Sequence, residues 1–362
     1  MEKRENQYDV LRILSMISVV FIHASVFQKN LFQQFVLTIS GCAVPIFFML
    51  SGSFILNKIK ILENLKKYYV GKLIKIIIPT ILFSLLYIML EIIIQIKSYG
   101  FGNIKPFIIS LFKNWIKTGI PGNGWHLWFM RVIIFFYIVA PLLVFVRYKH
   151  KEVYLFIFCF SLGFSIINFY TSFINLSWYL GWIFYIPLIM AGDIIKNELP
   201  KVKYKYIVLI LFVLFIGIEF FIKASILKGN ENTLLRFIIH DGTRTDIVVD
   251  PQNFQIFNLT ASFLLFYLFK NLHVENNYGK LAEMCFYIYL IHYALEGIVG
   301  GKLINILSKI NINIILDSWY WILLRGTAVL ITSFVLIYLC RKIHLLFINK
   351  IIKKRSCRLN YY

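Results

Sequence analysis

The chain has 362 residues, of which 59% are apolar and 18% aromatic, and its mean hydropathy is +0.75. That composition excludes an ordinary soluble domain and identifies an all-α integral membrane protein. The net charge of +21 comes from basic residues dispersed among short connections, which favours a topological role over nucleic-acid binding.

In chain order the apolar runs predict about ten transmembrane helices, at 10–28, 35–57, 73–95, 126–146, 153–170, 178–195, 206–224, 254–270, 281–300 and 319–340. They form one bundle with both termini cytoplasmic, because Lys and Arg are richest in the connections on the N-terminal side. Residues 1–345 are one membrane domain, and 346–362 make a basic cytoplasmic tail suited to anionic lipids. The first run is expected to act as an uncleaved signal anchor in the plasma membrane. No repeat or linker divides the chain. Two outer connections are long: Ile96 to Trp125, rich in Gly and Pro, and Ser225 to Asn253, which contains His240 to Asp246. Cys42, Cys159, Cys285, Cys340 and Cys357 form no metal or redox motif.

The first helix carries Arg12 and His23 eleven positions apart. Eleven helical steps bring both side chains to one face, roughly 16 Å apart along the axis. An intramembrane imidazole faces protein or a water-filled cavity, and its pKa suits general acid–base work. The plainer readings are a histidine bonding between helices and an arginine snorkelling to the surface. Asp9, three residues before Arg12, is placed to pair with it.

In the second helix, Phe47 to Gly52 places a Ser51–Gly52 step among large side chains, where a neighbouring backbone or narrow ligand can approach. Lys72 and Lys75 before Pro79 are positioned to grip phosphates, although lysines are common at such helix ends. Trp125, His126, Trp128 and Arg131 open the fourth helix, where His126 and Arg131 exceed what an aromatic belt requires. In the ninth, His292 and Glu296 lie one turn apart as a candidate proton-accepting couple. Arg325 in the tenth needs a counterion, for which Glu296 has the right depth. Glu219 and Lys223 are expected to form a surface i,i+4 pair.

Taken together, Asp9, Arg12 and His23, Phe47 to Gly52, Trp128–Phe129 with Tyr137 and Pro141, and Tyr287, Tyr289, Leu290 and His292 resemble the membrane-bound acyltransferase family 3. Its members include bacterial O-acetyltransferases of surface polysaccharides. The resemblance covers most of the chain and implies a ten-helix domain with cytoplasmic ends. It further implies acyl-CoA as donor substrate, with no bound metal or cofactor, and His23 as catalytic base. By the same resemblance Arg12 is associated with the acyl-CoA. The mechanism expected from these residues adds Lys72 and Lys75 as further holders of the coenzyme phosphates and Ser51 and His292 as helpers at the reacting centre, and places Trp125, His126, Trp128, Arg131 and Glu296 toward a cell-surface or lipid-linked glycan whose hydroxyl receives an acyl, typically acetyl, group. The chain departs from the family pattern at Lys72 and Lys75, where arginines are common, and at Cys285, where serine is usual. Lysine keeps charge but not the bidentate fork. A transporter or flippase for a small solute or lipid-linked sugar is the alternative, since intramembrane His, Arg and Glu also build substrate paths.

Overall fold

The computed structural model describes residues 4–25, 30–171, 181–228, 255–309 and 318–359, with side chains to residue 342. Every regular element among them is helical. They are α1 (Asn6–Ala24), α2 (Leu31–Ser40), α3 (Ala43–Ile55), α4 (Lys60–Glu63), α5 (Leu65–Lys72), α6 (Ile78–Tyr99), α7 (Ile104–Thr118), α8 (Trp128–Lys149), α9 (Lys151–Thr171), α10 (Ile186–Asp193), α11 (Lys205–Leu227), α12 (Ile256–Lys270), α13 (Gly279–Lys309) and α14 (Trp319–Leu359).

Eight of the expected spans are helices long and apolar enough to cross a membrane: Asn6–Ala24, Leu31–Ile55, Leu65–Tyr99, Trp125–Lys149, Lys151–Thr171, Lys205–Leu227, Gly279–Lys309 and Trp319–Lys342. The other two have different forms. One is a segmented stretch, with a 3₁₀ turn over Gly181–Tyr185, α10, and a π turn over Ile194–Glu198. The other is α12, whose 15 residues rise about 22 Å, less than a hydrocarbon core of about 30 Å. The polar stretch His240 to Asp246 lies outside the described residues.

Local sequence explains the irregularities. Asn30 caps α2 with Gln33 in a reciprocal capping box, and Gly41 and Cys42, both in helical conformation, join α2 to α3. Pro79 has no N–H for the carbonyl four residues back, and the helix widens into a π turn over Leu73–Ile77 just before it. Pro141 lies inside α8 and likewise frees a carbonyl. The Tyr68 hydroxyl donates to the Tyr137 carbonyl at 3.0 Å and that of Tyr69 to the Ile138 carbonyl at 2.9 Å.

The close approach expected at Gly52 is a backbone crossing. A Cβ there would lie 1.8 Å from the Ile189 carbonyl oxygen, and one at Gly192 would lie 1.9 Å from that of Met49, so α3 and α10 meet without intervening side chains. At the end of α10, fully buried Asp193 accepts from Arg147 Nε at 2.5 Å, Asn197 at 2.7 Å and Tyr154 at 3.0 Å. This network ties α8, α9 and α10 together at the end of the bundle where α1 begins, called here the basic face.

Two findings revise the sequence expectations. The long connection from Ile96 to Trp125 contains α7, whose half-buried Ile104, Phe107, Ile108, Leu111 and Trp115 recur at helical spacing. Gly119, at φ +71°, ends it in the left-handed conformation. The Glu219–Lys223 pair, 2.5 Å apart, is buried, with the Glu219 side chain wholly inaccessible. Helix-end polarity suggested exposure, whereas packing of α11 on α2 and α12 covers it.

Candidate functional site

Two adjoining cavities open from the basic face. The outer one, about 770 Å³, is lined by Arg4, Arg12, Lys58 and Lys196, with Glu5, Asp9, Asn57 and Asn197 among them. Four cations against two carboxylates leave it electropositive. Arg4 grips Asp9 through Nε at 2.5 Å, and Arg12 lies at 3.4 Å from the same carboxylate. The bond to Asp9 raises the pKa of the Arg4 guanidinium above its ordinary value against the opposing effect of burial. Lys196 pairs with Glu5 and sits 3.9 Å from the Phe54 ring centre.

The inner cavity, about 390 Å³, shares Arg12, Phe54 and Lys58 with the outer one and continues past Phe47, Ser51, Lys72 and Tyr137 to Phe129 and Tyr289. Both volumes fall in the range of small-molecule sites, about 300–1,000 Å³. Lys72 lies 3.9 Å from the Tyr137 ring centre, so the proline-altered stretch of α8 presents the wall on which Lys72 rests. Lys75 is exposed and lines neither cavity, the π turn beginning between the two lysines. Ser51 lines the inner cavity while its hydroxyl donates to the Phe47 carbonyl at 3.0 Å.

Beyond Tyr289 three imidazoles converge. Ring centres of His23 and His292 are 5.2 Å apart, His126 and His292 5.0 Å, and His23 and His126 6.5 Å. Tyr293 stacks on His126 at 5.2 Å and meets His23 edge-on at 5.2 Å. No group of three or more His, Cys, Asp or Glu among the described residues has an arrangement for a metal ion. His292 Nδ1 lies 2.8 Å from the Tyr289 carbonyl oxygen. A carbonyl only accepts, so Nδ1 carries the hydrogen and Nε2 keeps its lone pair, buried and without a described partner. His126 Nδ1 is likewise buried and unpartnered among the described residues.

Tyr289 is the wall between cavity and cluster. It lines the cavity beside Phe129, 5.4 Å from that ring, while lying 5.5 Å from His126 and 5.7 Å from His292. Its hydroxyl donates to the His126 carbonyl. His23 lines neither cavity and packs against His292 on the cluster side of Tyr289.

The four residues expected together at the start of α8 diverge, as successive helical positions must. Trp125 is 57% exposed, and His126 joins the cluster. Trp128 packs between Phe48 and Tyr185, while Arg131 donates to the Thr118 carbonyl at the end of α7, at 2.7 Å. Glu296 faces Arg325 at 3.6 Å, the pairing depth alone suggested. Arg4, Lys58, Lys196 and Tyr293 were not singled out from sequence for this site, and Tyr289, though part of the motif that carries the family resemblance, was given no role of its own. Basic residues near helix ends are too common to stand out, and Tyr293 falls outside that motif.

A family model described as an acyltransferase domain matches residues 5–339. No curated protein and no solved structure matches the chain.

Proposed function

The chain belongs to the acyltransferase family 3 and is a multi-pass membrane acyltransferase; from that premise we propose that it moves an acyl group, acetyl in the first instance, from acyl-CoA to a hydroxyl of a cell-surface or lipid-linked glycan. One observation above all supports this reading: the electropositive outer cavity runs through shared Arg12, Phe54 and Lys58 into a smaller one lined by Tyr289, whose ring abuts two of the three histidines. A donor charged at one end and reactive at the other has that shape. By the positive-inside rule the basic face is cytoplasmic, in the plasma membrane.

In this mechanism Arg4, Arg12, Lys58, Lys72 and Lys196 hold the coenzyme's phosphates, and the pantetheine arm lies along Phe47, Ser51 and Tyr137. The thioester reaches Tyr289. His23 removes the proton from the acceptor hydroxyl as its oxygen bonds to the thioester carbonyl carbon. The tetrahedral intermediate then collapses, the C–S bond breaks, and His23 returns the proton to the departing thiolate. Holding both substrates in register lowers the entropic part of the barrier. His292, with Nε2 unprotonated, is the adjacent second base.

The test uses the full chain in nanodiscs with acetyl-CoA and surface glycan stripped of its O-acyl groups, following CoA release and glycan acetylation together. His23→Ala is expected to lose both by about 100-fold or more. Arg12→Ala is expected to raise KM for acetyl-CoA about tenfold, the loss of one charge-assisted phosphate contact. Solute or glycan transport that persists in His23→Ala without CoA release would sink the proposal in favour of a transporter.

A further inference from the structure

Three intramembrane or near-membrane ion pairs in this chain invite comparison. Arg147 and Asp193 meet at 2.5 Å, and Lys223 and Glu219 at 2.5 Å, each with a hydrogen bond. Arg325 and Glu296 stand 3.6 Å apart and share no hydrogen bond. Arg325 Nε and Glu296 Oε1 are both buried without a partner among the described residues, and Glu296 is only 3% exposed; in the other two pairs one carboxylate oxygen, Glu219 Oε2, is left so, but no cationic nitrogen is. A pair serving only to neutralise charge would close to bonding distance, since unpaired buried donors and acceptors are costly. Here a donor and an acceptor lie side by side, each with an unused bonding position.

The pair's location supplies its role. Tyr293, in edge contact with His23, precedes Glu296 by three residues and shares its helix face. Gly300, one turn further along α13, leaves the space Arg325 occupies, for a Cβ there would lie 3.2 Å from Arg325 Nε. On α14, Gly326 admits Phe21 of α1, two residues before His23; a Cβ would lie 2.7 Å from its ring. Neither Arg325 nor Glu296 lines the cavities that lead from the basic face. Arg131, the arginine expected at the acceptor, is engaged with the end of α7 instead.

We infer that Glu296 and Arg325 form the acceptor subsite, binding a sugar through neighbouring hydroxyls so that a third hydroxyl is directed at His23. The carboxylate accepts from one hydroxyl and the guanidinium donates to the next, filling both vacant bonding positions. This deepens the proposed function, on which it rests for the sense of the reaction but not for the binding itself.

The experiment measures direct binding of O-deacylated surface glycan to the full chain in nanodiscs, alongside equilibrium binding of acetyl-CoA and acetyl transfer. Glu296→Gln and Arg325→Gln are expected to weaken glycan binding about tenfold or more each, with acetyl-CoA affinity held within about twofold as the check on folding. Should either single variant fail to fold, the charge-exchanged double variant, Glu296→Arg with Arg325→Glu, re-forms a neutral pair. It is expected to fold and bind acetyl-CoA yet bind glycan no better than the single variants. Glycan binding equal to wild type in the single or exchanged variants, or absent from wild type, overturns the inference. Glycan binding that depends on both residues in a wild-type protein that transfers no acetyl group would instead overturn the acyl-CoA reading and leave the subsite standing.

Discussion

His292 has its tautomer set by the carbonyl of Tyr289, and the consequence is testable because asparagine can imitate half of an imidazole. His292→Asn keeps a donor where Nδ1 stands and removes the lone pair at Nε2. The expected outcome is a stable protein whose single-turnover acetyl transfer falls about 100-fold; a rate within about threefold of wild type would leave His292 as a packing residue. At this scale the sequence was most informative where chemistry is costly. Arg12 and His23 stand out because an ionisable group in an apolar run demands a partner or a cavity; Arg12 lines both cavities, whereas His23 lines neither and packs in the histidine cluster beyond Tyr289. Tyr289 was visible as a motif residue but not as a wall, for that role comes from what it separates, and Arg4 was hidden among topological cations although it is the closer partner of Asp9. Glu219 and Lys223 show the converse error, a pair assigned to the surface by position and buried by its neighbours.

Among the elements, the crossing of α3 and α10 makes the sharpest demand. Gly192→Ala would drive a methyl group against the Met49 carbonyl, backbone against backbone, so the helices must part. Overpacking of this kind costs about 1–3 kcal/mol, and a lower thermal midpoint in detergent is expected. Gly163→Ala and Gly217→Ala, where a methyl group meets nothing within 4 Å, serve as controls that leave the midpoint unchanged or raise it. The Ser51–Gly52 step announced this contact in the sequence. The π turn after Lys72 was not announced: Pro79 signals some disruption, but whether a helix kinks, ends or widens depends on what it packs against. The helix α7 was concealed by the glycines and Pro121 flanking it and by Pro106 in its first turn, which together resemble one long loop.

For the whole molecule, the asymmetric charge read from the sequence is realised as an electropositive entrance. If the donor enters there, kcat/KM for acetyl-CoA falls as salt is raised from about 50 to 500 mM while kcat holds, because screening shortens the reach of attraction. A kcat/KM indifferent to salt would argue against charge-guided entry. Ten alternating apolar runs were legible, since hydropathy reports the solvent each segment prefers. The forms of α12 and of the stretch around α10 were not, because their partners, rather than their composition, fix where those helices stop.

The wall at Tyr289 also bears on the order of events. If acyl-CoA is admitted through Arg12 and Lys58 and the glycan is held by Glu296 and Arg325, as proposed, neither substrate would occupy the other's way in, and neither would have to leave before the other arrives. Both could be present together, with the acyl group reaching past the ring. On that proposal the enzyme would work as a lock in which the acyl group crosses while each carrier stays on its own side.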